Sequence, residues 1–193
     1  MIDLGPASQH MARLIEGIAD DQLGLPTPCP DYTVGDLLDH IDTLSLAFVE
    51  AANKTRDAGT VPPPGDVGRL GDDWRTRIPP QLATMADAWR DPQAWEGMTV
   101  IGGGDTPGEV CGLIGLDELI VHGWDVARST GQEFEADDES LEACLTVLRM
   151  FAKPGKVMDP GAPFGTVVEV PDDAPVLDRV LGLSGRDPNW APT

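Results

Sequence analysis

Long apolar runs are missing from this chain. None of its 193 residues belongs to a stretch approaching the roughly 18 apolar positions that a membrane-spanning helix needs, so no span is expected. The first stretch, MIDLGPASQHMARLIEG, lacks a basic region followed by an apolar block and does not read as a secretory leader. A cytoplasmic location is therefore expected. Positive charge is scarce: 13 Lys and Arg stand against 33 Asp and Glu, a net charge of −20. Nucleic acid and anionic membranes both recruit cationic surface, and this chain has little to offer either. Cysteine is also scarce. Cys29, Cys111 and Cys144 are an odd number without CxxC spacing, which argues against a disulfide framework or a Cys-rich zinc site. Histidine occurs only three times, so the place of each one is informative.

What is present suits one globular domain. Hydrophobic residues make up 41% and charged residues 24%, ordinary values for a folded protein with a sizeable core. Pro6 starts a first helix over 6–20, with Ala7, Met11, Leu14, Ile15 and Ile18 in one stripe. After the Pro-rich loop 23–32, Thr33 and Asp36 resemble a capping box, and a second helix runs to about residue 53. Val67, Leu70, Trp74, Ile78, Leu82, Met85 and Trp89 keep helical spacing, predicting a third helix kinked or split at Pro79-Pro80. Gly102–Gly104 lacks the Lys and Ser/Thr of a phosphate loop and reads as a turn. Thr106-Pro107-Gly108-Glu109 reads as the start of a fourth helix, with Thr106 as N-cap, ending near Ser129 before Gly131. A further helix is expected over Asp138–Phe151. Seven prolines punctuate 153–193, which reads as a tail with a strand-like run at 165–170 and a short helix at 175–183. No internal repeat is visible.

The fourth helix carries the chemistry. Its stretch CGLIGLDELIVHGWDVA is apolar on nearly every side, as in a buried helix, yet holds Glu118 and His122 one turn apart on one face. A buried carboxylate needs a partner, and a metal ion would supply one. Glu and His at this spacing alone more often mean a surface pair or a satisfied core histidine. Two features favour a metal: the apolar surroundings, and His40, which lies among Leu37, Leu44 and Ala47 on the second helix and faces the same interior. Two histidines and one glutamate leave a coordination position open, the pattern of catalytic sites.

The stretches TPCPDYTVGDLLDHI (27–41) and LDELIVHGWDVARSTG (116–131) resemble the mycothiol-dependent maleylpyruvate isomerase N-terminal family, within the DinB/YfiT-like metalloenzymes. The tail, FGTVVEVPDDAPVLDRVLGLSGRDPNW (164–190), is similar to the C-terminal signature of one subgroup. The resemblance implies an all-α, DinB-like four-helix bundle over about 1–152, with an extra C-terminal helix and a short Pro-rich tail, in a single domain of 1–193. It implies a divalent metal on His40, Glu118 and His122, and a metal-activated low-molecular-weight thiol used for transfer or isomerisation. The isomerase itself carries a sizeable C-terminal domain where this chain has a short tail, so that particular reaction does not follow.

The leading expectation is thus an enzyme holding one divalent metal ion, zinc first, with nickel, iron and manganese as alternatives, and using mycothiol as co-substrate. Its partners would be a small-molecule thiol and an electrophile, without nucleic acid or membrane; a homodimer is left open. The alternatives are a metal-dependent hydrolase and a non-catalytic metal-binding or sensing protein. Asp125 could orient a metal ligand or form a salt bridge. Cys111 could line the pocket but suits a small core residue better. Asp36 could be a fourth ligand, although a solvated acidic face shared with Asp39 is the simpler reading. His10 reads as surface or rim, Trp124 as core, and Cys29 as a loop residue with no base beside it.

Overall fold

A computed structural model describes residues 1–151 and 165–192. Helix α1 spans Gly5–Glu16, with Pro6 in its first turn and the Asp3 carboxylate accepting from the Gly5 N–H. It ends at Gly17, short of the expected residue 20, and Asp20–Gln22 form a separate 3₁₀ turn. Helix α2 spans Val34–Ala52 and begins with the reciprocal Thr33–Asp36 capping box. Helix α3 spans Trp74–Ala88 as one helix with Pro79 and Pro80 inside it, so it is not split there.

The third helix was expected from Val67, where the apolar spacing starts. In the structure Val67–Arg69 form an isolated 3₁₀ turn, and Gly71 at φ +70° sends the chain in a new direction before Trp74. A short helix α4, Pro92–Trp95, follows a side-chain cap by Asp91. Strands β1, Met98–Ile101, and β2, Gly104–Pro107, then pair antiparallel, with Ile101 opposite Gly104. Gly102 and Gly103 both have positive φ, which the two-residue turn between twisted strands demands. Thr106 is paired inside β2, so the expected Thr106 N-cap does not form. Helix α5 spans Gly108–Thr130, with Pro107 at its N-cap and left-handed Gly131 closing it.

Helices α1, α3, α2 and α5 close a four-helix ring, each touching the next. Phe48, Met85, Leu116 and Leu37 are among the side chains that fill it. The hairpin packs on α2 and α5, and Trp89 Nε1 donates to the Phe48 carbonyl at 3.1 Å to pin the end of α3. Helix α6, Asp138–Phe151, covers the outer side of α5, which explains why α5 is buried nearly all round. Helix α7, Val176–Leu183, packs on α6. Residues 165–170 form no strand; the Val168 N–H bonds back to the Gly182 carbonyl at 2.9 Å, tying the extended segment to α7. Of the expected tail, residues 153–164 and 193 lie outside the described residues. The all-α class and DinB-like bundle are as expected, with the two-stranded hairpin as the addition. Among the described residues no helix is long and apolar enough to cross a membrane.

Candidate metal centre

Helices α2 and α5 run against each other and bring His40 to Glu118 and His122. His122 Nε2 is 3.0 Å from Glu118 Oε2, and His40 Nε2 is 4.0 Å from the same oxygen. The two imidazole rings stand 5.1 Å apart and nearly perpendicular, at 88°. One ligand atom from each residue lies within 4.8 Å of the other two. Ligands of a tetrahedral zinc at about 2.0–2.1 Å are about 3.3 Å apart, so small side-chain rotations would adapt the trio to an ion. His122 is buried, whereas the His40 and Glu118 side chains keep 19% and 17% exposure, leaving the site reachable from solvent.

Behind His122 lies a polar chain. His122 Nδ1 is 2.9 Å from Asp125 Oδ2. Arg186, from beyond α7, grips the same carboxylate with both arms of its fork: Nη2 donates to Oδ2 at 2.9 Å and Nε to Oδ1 at 3.2 Å. Asp125 is fully buried and Arg186 nearly so. A carboxylate on the far nitrogen of a histidine fixes its tautomer and aims the near nitrogen at a ligand site.

The electrostatics of the two histidines are opposite. Both His122 nitrogens face carboxylate oxygens, but a neutral imidazole has one N–H to give. Burial opposes a charge there; the bonds to Asp125 and Glu118 outweigh it and lift His122 to about 9. Glu118 feels the converse: burial pushes its carboxyl up, and the hydrogen bond and charge of His122 bring it below the usual range. Asp125 is likewise pushed up by burial and pulled lower by Arg186 and His122. His40 is driven down to about 4 by burial and by the charge on His122, so it stays neutral with a free lone pair. Its Nδ1 is buried without a hydrogen-bond partner. Its position comes from packing: the Tyr32 ring lies 5.2 Å away, and the Tyr32 hydroxyl accepts from the Gly65 N–H at 3.2 Å. The site therefore demands one positive charge between His122 and Glu118, which a proton or a metal ion can supply. The donor set fits a divalent ion.

Other residues singled out in the sequence lie elsewhere. Asp36 is occupied by its cap, with Oδ2 accepting from Thr33 and Oδ1 from the Val67 N–H, and is not brought to the trio. Asp39 is no solvated face: it is buried, accepting from the Asp66 N–H and from Arg69. Cys111 is fully buried in the core, where burial raises its thiol to about 12, and it does not line the site. His10 packs edge-on against Phe134 and accepts from the Glu135 N–H. Burial raises Cys29 to about 11, so it is no thiolate near neutrality.

Arg186 was not visible as a site residue in the sequence. The available signal was chemical: Asp125 on a largely buried helix needs a cation, and the only permanent one on α5 itself is Arg128, in its last turn. Asp117 was also overlooked. It is buried on the α6 side of α5, hydrogen-bonded to the Cys144 thiol, and burial together with the Glu118 charge pushes it up to about 8.

The profile of the mycothiol maleylpyruvate isomerase N-terminal domain matches residues 4–127, well over half of the chain and inclusive of the trio and Asp125. The chain belongs to the mycothiol maleylpyruvate isomerase N-terminal domain family. Arg186 lies outside the matched part. Among relatives of this family member, the uncharacterized proteins MT0763 and Rv0738 of Mycobacterium tuberculosis, from two strains, are each 27% identical over 182 residues, covering 93% of this chain and 93% of their own. A crystal structure of the mycothiol-dependent maleylpyruvate isomerase superposes with a TM-score of 0.52 at 17% identity, over 75% of this chain. That likeness shows a shared fold. This chain spans 66% of the length of that structure's chain.

Proposed function

We propose that the protein is a metal-dependent enzyme of this family that activates a low-molecular-weight thiol of the mycothiol type, for transfer or isomerisation. The observation that carries the reading is His122 held between two carboxylates, Glu118 and Asp125, with neutral His40 beside it. In this reading His40, Glu118 and His122 hold one divalent ion, zinc first, with nickel, iron and manganese as alternatives. Once bound, such an ion supplies the positive charge that lowers a thiol's pKa. Asp125 keeps the His122 Nδ1–H engaged, and Arg186 keeps Asp125 ionised and in place. In the same reading Arg186 makes the tail part of one domain with the bundle. Family membership supplies the thiol, since the family's own description names mycothiol.

The test has two stages. Untagged protein should carry about one divalent ion per chain, and His40→Ala, Glu118→Ala and His122→Ala should each weaken binding tenfold or more. Full metal retention in His122→Ala would sink the assignment. Cobalt-substituted protein titrated with mycothiol should then develop a sulfur-to-cobalt charge-transfer band, absent in His40→Ala. A spectrum indifferent to thiols but moved by small anions turns the reading to a hydrolase.

A further inference from the structure

The two histidines of the trio are supported unequally. His122 has Asp125 on its far nitrogen, and Arg186 behind that carboxylate. His40 turns Nε2 toward Glu118, at 4.0 Å, while its Nδ1 is buried and has no hydrogen-bond partner among the described residues. An ion on Nε2 takes that lone pair, so the proton of the neutral ring must then sit on Nδ1. Metal binding thus turns the orphan nitrogen into a buried donor, and a buried donor left unbonded destabilises the state that carries it. Histidine ligands almost always give this N–H to a nearby oxygen, which fixes the ring's orientation.

The loop over 62–66 lies directly on α2 at this point. A Cβ on Gly65 would overlap the Asp36 carbonyl oxygen and come within 3.2 Å of His40 Cβ, a closeness that glycine alone permits. The Asp66 N–H on Asp39, at 3.0 Å, and the Val67 N–H on Asp36, at 2.8 Å, hold the loop there. The Gly65 N–H in turn bonds the Tyr32 hydroxyl at 3.2 Å, and the Tyr32 ring lies 5.2 Å from the His40 ring, tilted by 42°. The hydroxyl is thereby fixed at the turn of α2 that bears His40. A hydroxyl oxygen has two lone pairs, and Gly65 uses one. The neighbouring carboxylates are engaged, Asp36 with Thr33 and Val67, and Asp39 with Asp66 and Arg69. We propose that Tyr32 is the positioning residue of His40: its hydroxyl accepts the His40 Nδ1–H when an ion occupies the trio. This role rests on the metal binding proposed above. The bond forms with the ion, because only then is Nδ1 obliged to carry the proton.

The experiment is proton–nitrogen NMR of the zinc-loaded full chain, labelled with nitrogen-15 in its three histidines. Zinc should move the Nε2 resonances of His40 and His122 and leave one protected Nδ1–H on each. In the parent protein an Overhauser contact should join the His40 Nδ1–H to the ring protons of Tyr32, the one tyrosine of the chain. Tyr32→Phe keeps the ring against His40 and removes the hydroxyl; melting curves in chelator check its folding. In this variant the His40 Nδ1–H should exchange with water at least tenfold faster, and the His122 Nδ1–H should not change. Zinc affinity, measured against a competing chelator, should fall about tenfold. Weaker zinc binding with unchanged His40 exchange would mean that Tyr32 only pins the Gly65 loop, and overturns the proposal. A missing Overhauser contact in the parent overturns it without recourse to the variant. Histidine resonances that ignore zinc in the parent overturn the metal reading and this role together. Zinc-shifted histidines with equal His40 exchange in parent and Tyr32→Phe overturn the role of Tyr32 alone.

Discussion

His122 and His40 face one another across one oxygen of Glu118, yet sit on opposite sides of neutrality. In metal-free protein at neutral pH, His122 holds a proton because two carboxylates flank it, with a value lifted to about 9. A divalent ion needs the Nε2 lone pair that this proton occupies. Metal binding at pH 7.5 should therefore release about one proton per ion, read by calorimetry in buffers of differing ionisation enthalpy. A proton count near zero would mean that the ion binds elsewhere. His40 acts in the other direction. Its folded value of about 4 lies below the ordinary 6.5, so the fold prefers it neutral. The His40 contribution to folding stability is then intact above about 6.5 and falls as the pH drops toward 4, because the unfolded chain takes up the proton first. The loss should total about 3 kcal/mol. Urea unfolding in chelator at pH 7 and pH 4.5 should show His40→Phe losing distinctly less stability than the parent over this interval; equal losses would place the acid sensitivity elsewhere.

Among the elements, the strand-free tail contributes most beyond what its regular structure suggests. It delivers Arg186 to Asp125 across 61 residues of sequence, and the fork geometry fills both carboxylate oxygens. Arg186→Ala would leave Asp125 buried with His122 as its remaining partner, a change that typically costs about 3–5 kcal/mol. The same variant should loosen His122 and weaken metal binding by about tenfold or more. Arg186→Lys should not restore either property, because an ammonium cannot grip two oxygens in parallel. Arg186→Ala combined with Asp125→Asn should cost less than the two changes summed, since the second removes the charge that the first abandons. Strict additivity would show that the ion pair is incidental. The elements that were legible in the sequence have local causes: the Thr33–Asp36 box starts α2, Gly131 ends α5, and the four-residue step sets Glu118 under His122. The elements that were misread have causes the periodicity cannot carry. Val67 and Leu70 continue the apolar stripe of α3, but Gly71 turns the backbone before the helix forms. Thr106 has the chemistry of an N-cap, yet pairing with Thr99 in the hairpin claims it first. Arg186 meets Asp125 only through tertiary packing, which no spacing rule reports.

For the whole molecule, the net charge of −20 complicates any claim about a metal ion. An acidic surface repels itself, and every cation in solution relieves that repulsion to some degree. Stabilisation by a divalent salt is therefore expected even of a protein without a site. The two causes differ in concentration dependence. Screening grows gradually over millimolar salt and is indifferent to which residues line the interior. A site binding the folded state alone adds stability as the logarithm of free ion over Kd, about 4 kcal/mol at a thousandfold excess. For a chain of this size each kcal/mol moves Tm by about 2–4 °C, so zinc buffered a thousandfold above its Kd should raise Tm by about 8–16 °C over the chelated protein. That rise should begin at micromolar total metal, near one equivalent per chain, and should be lost in His122→Ala. Millimolar magnesium should raise both proteins by the same smaller amount, because magnesium prefers oxygen ligands and retains its water. Equal zinc responses in the parent and in His122→Ala would assign the stabilisation to the acidic surface and leave His40, Glu118 and His122 as a buried ion-pair cluster.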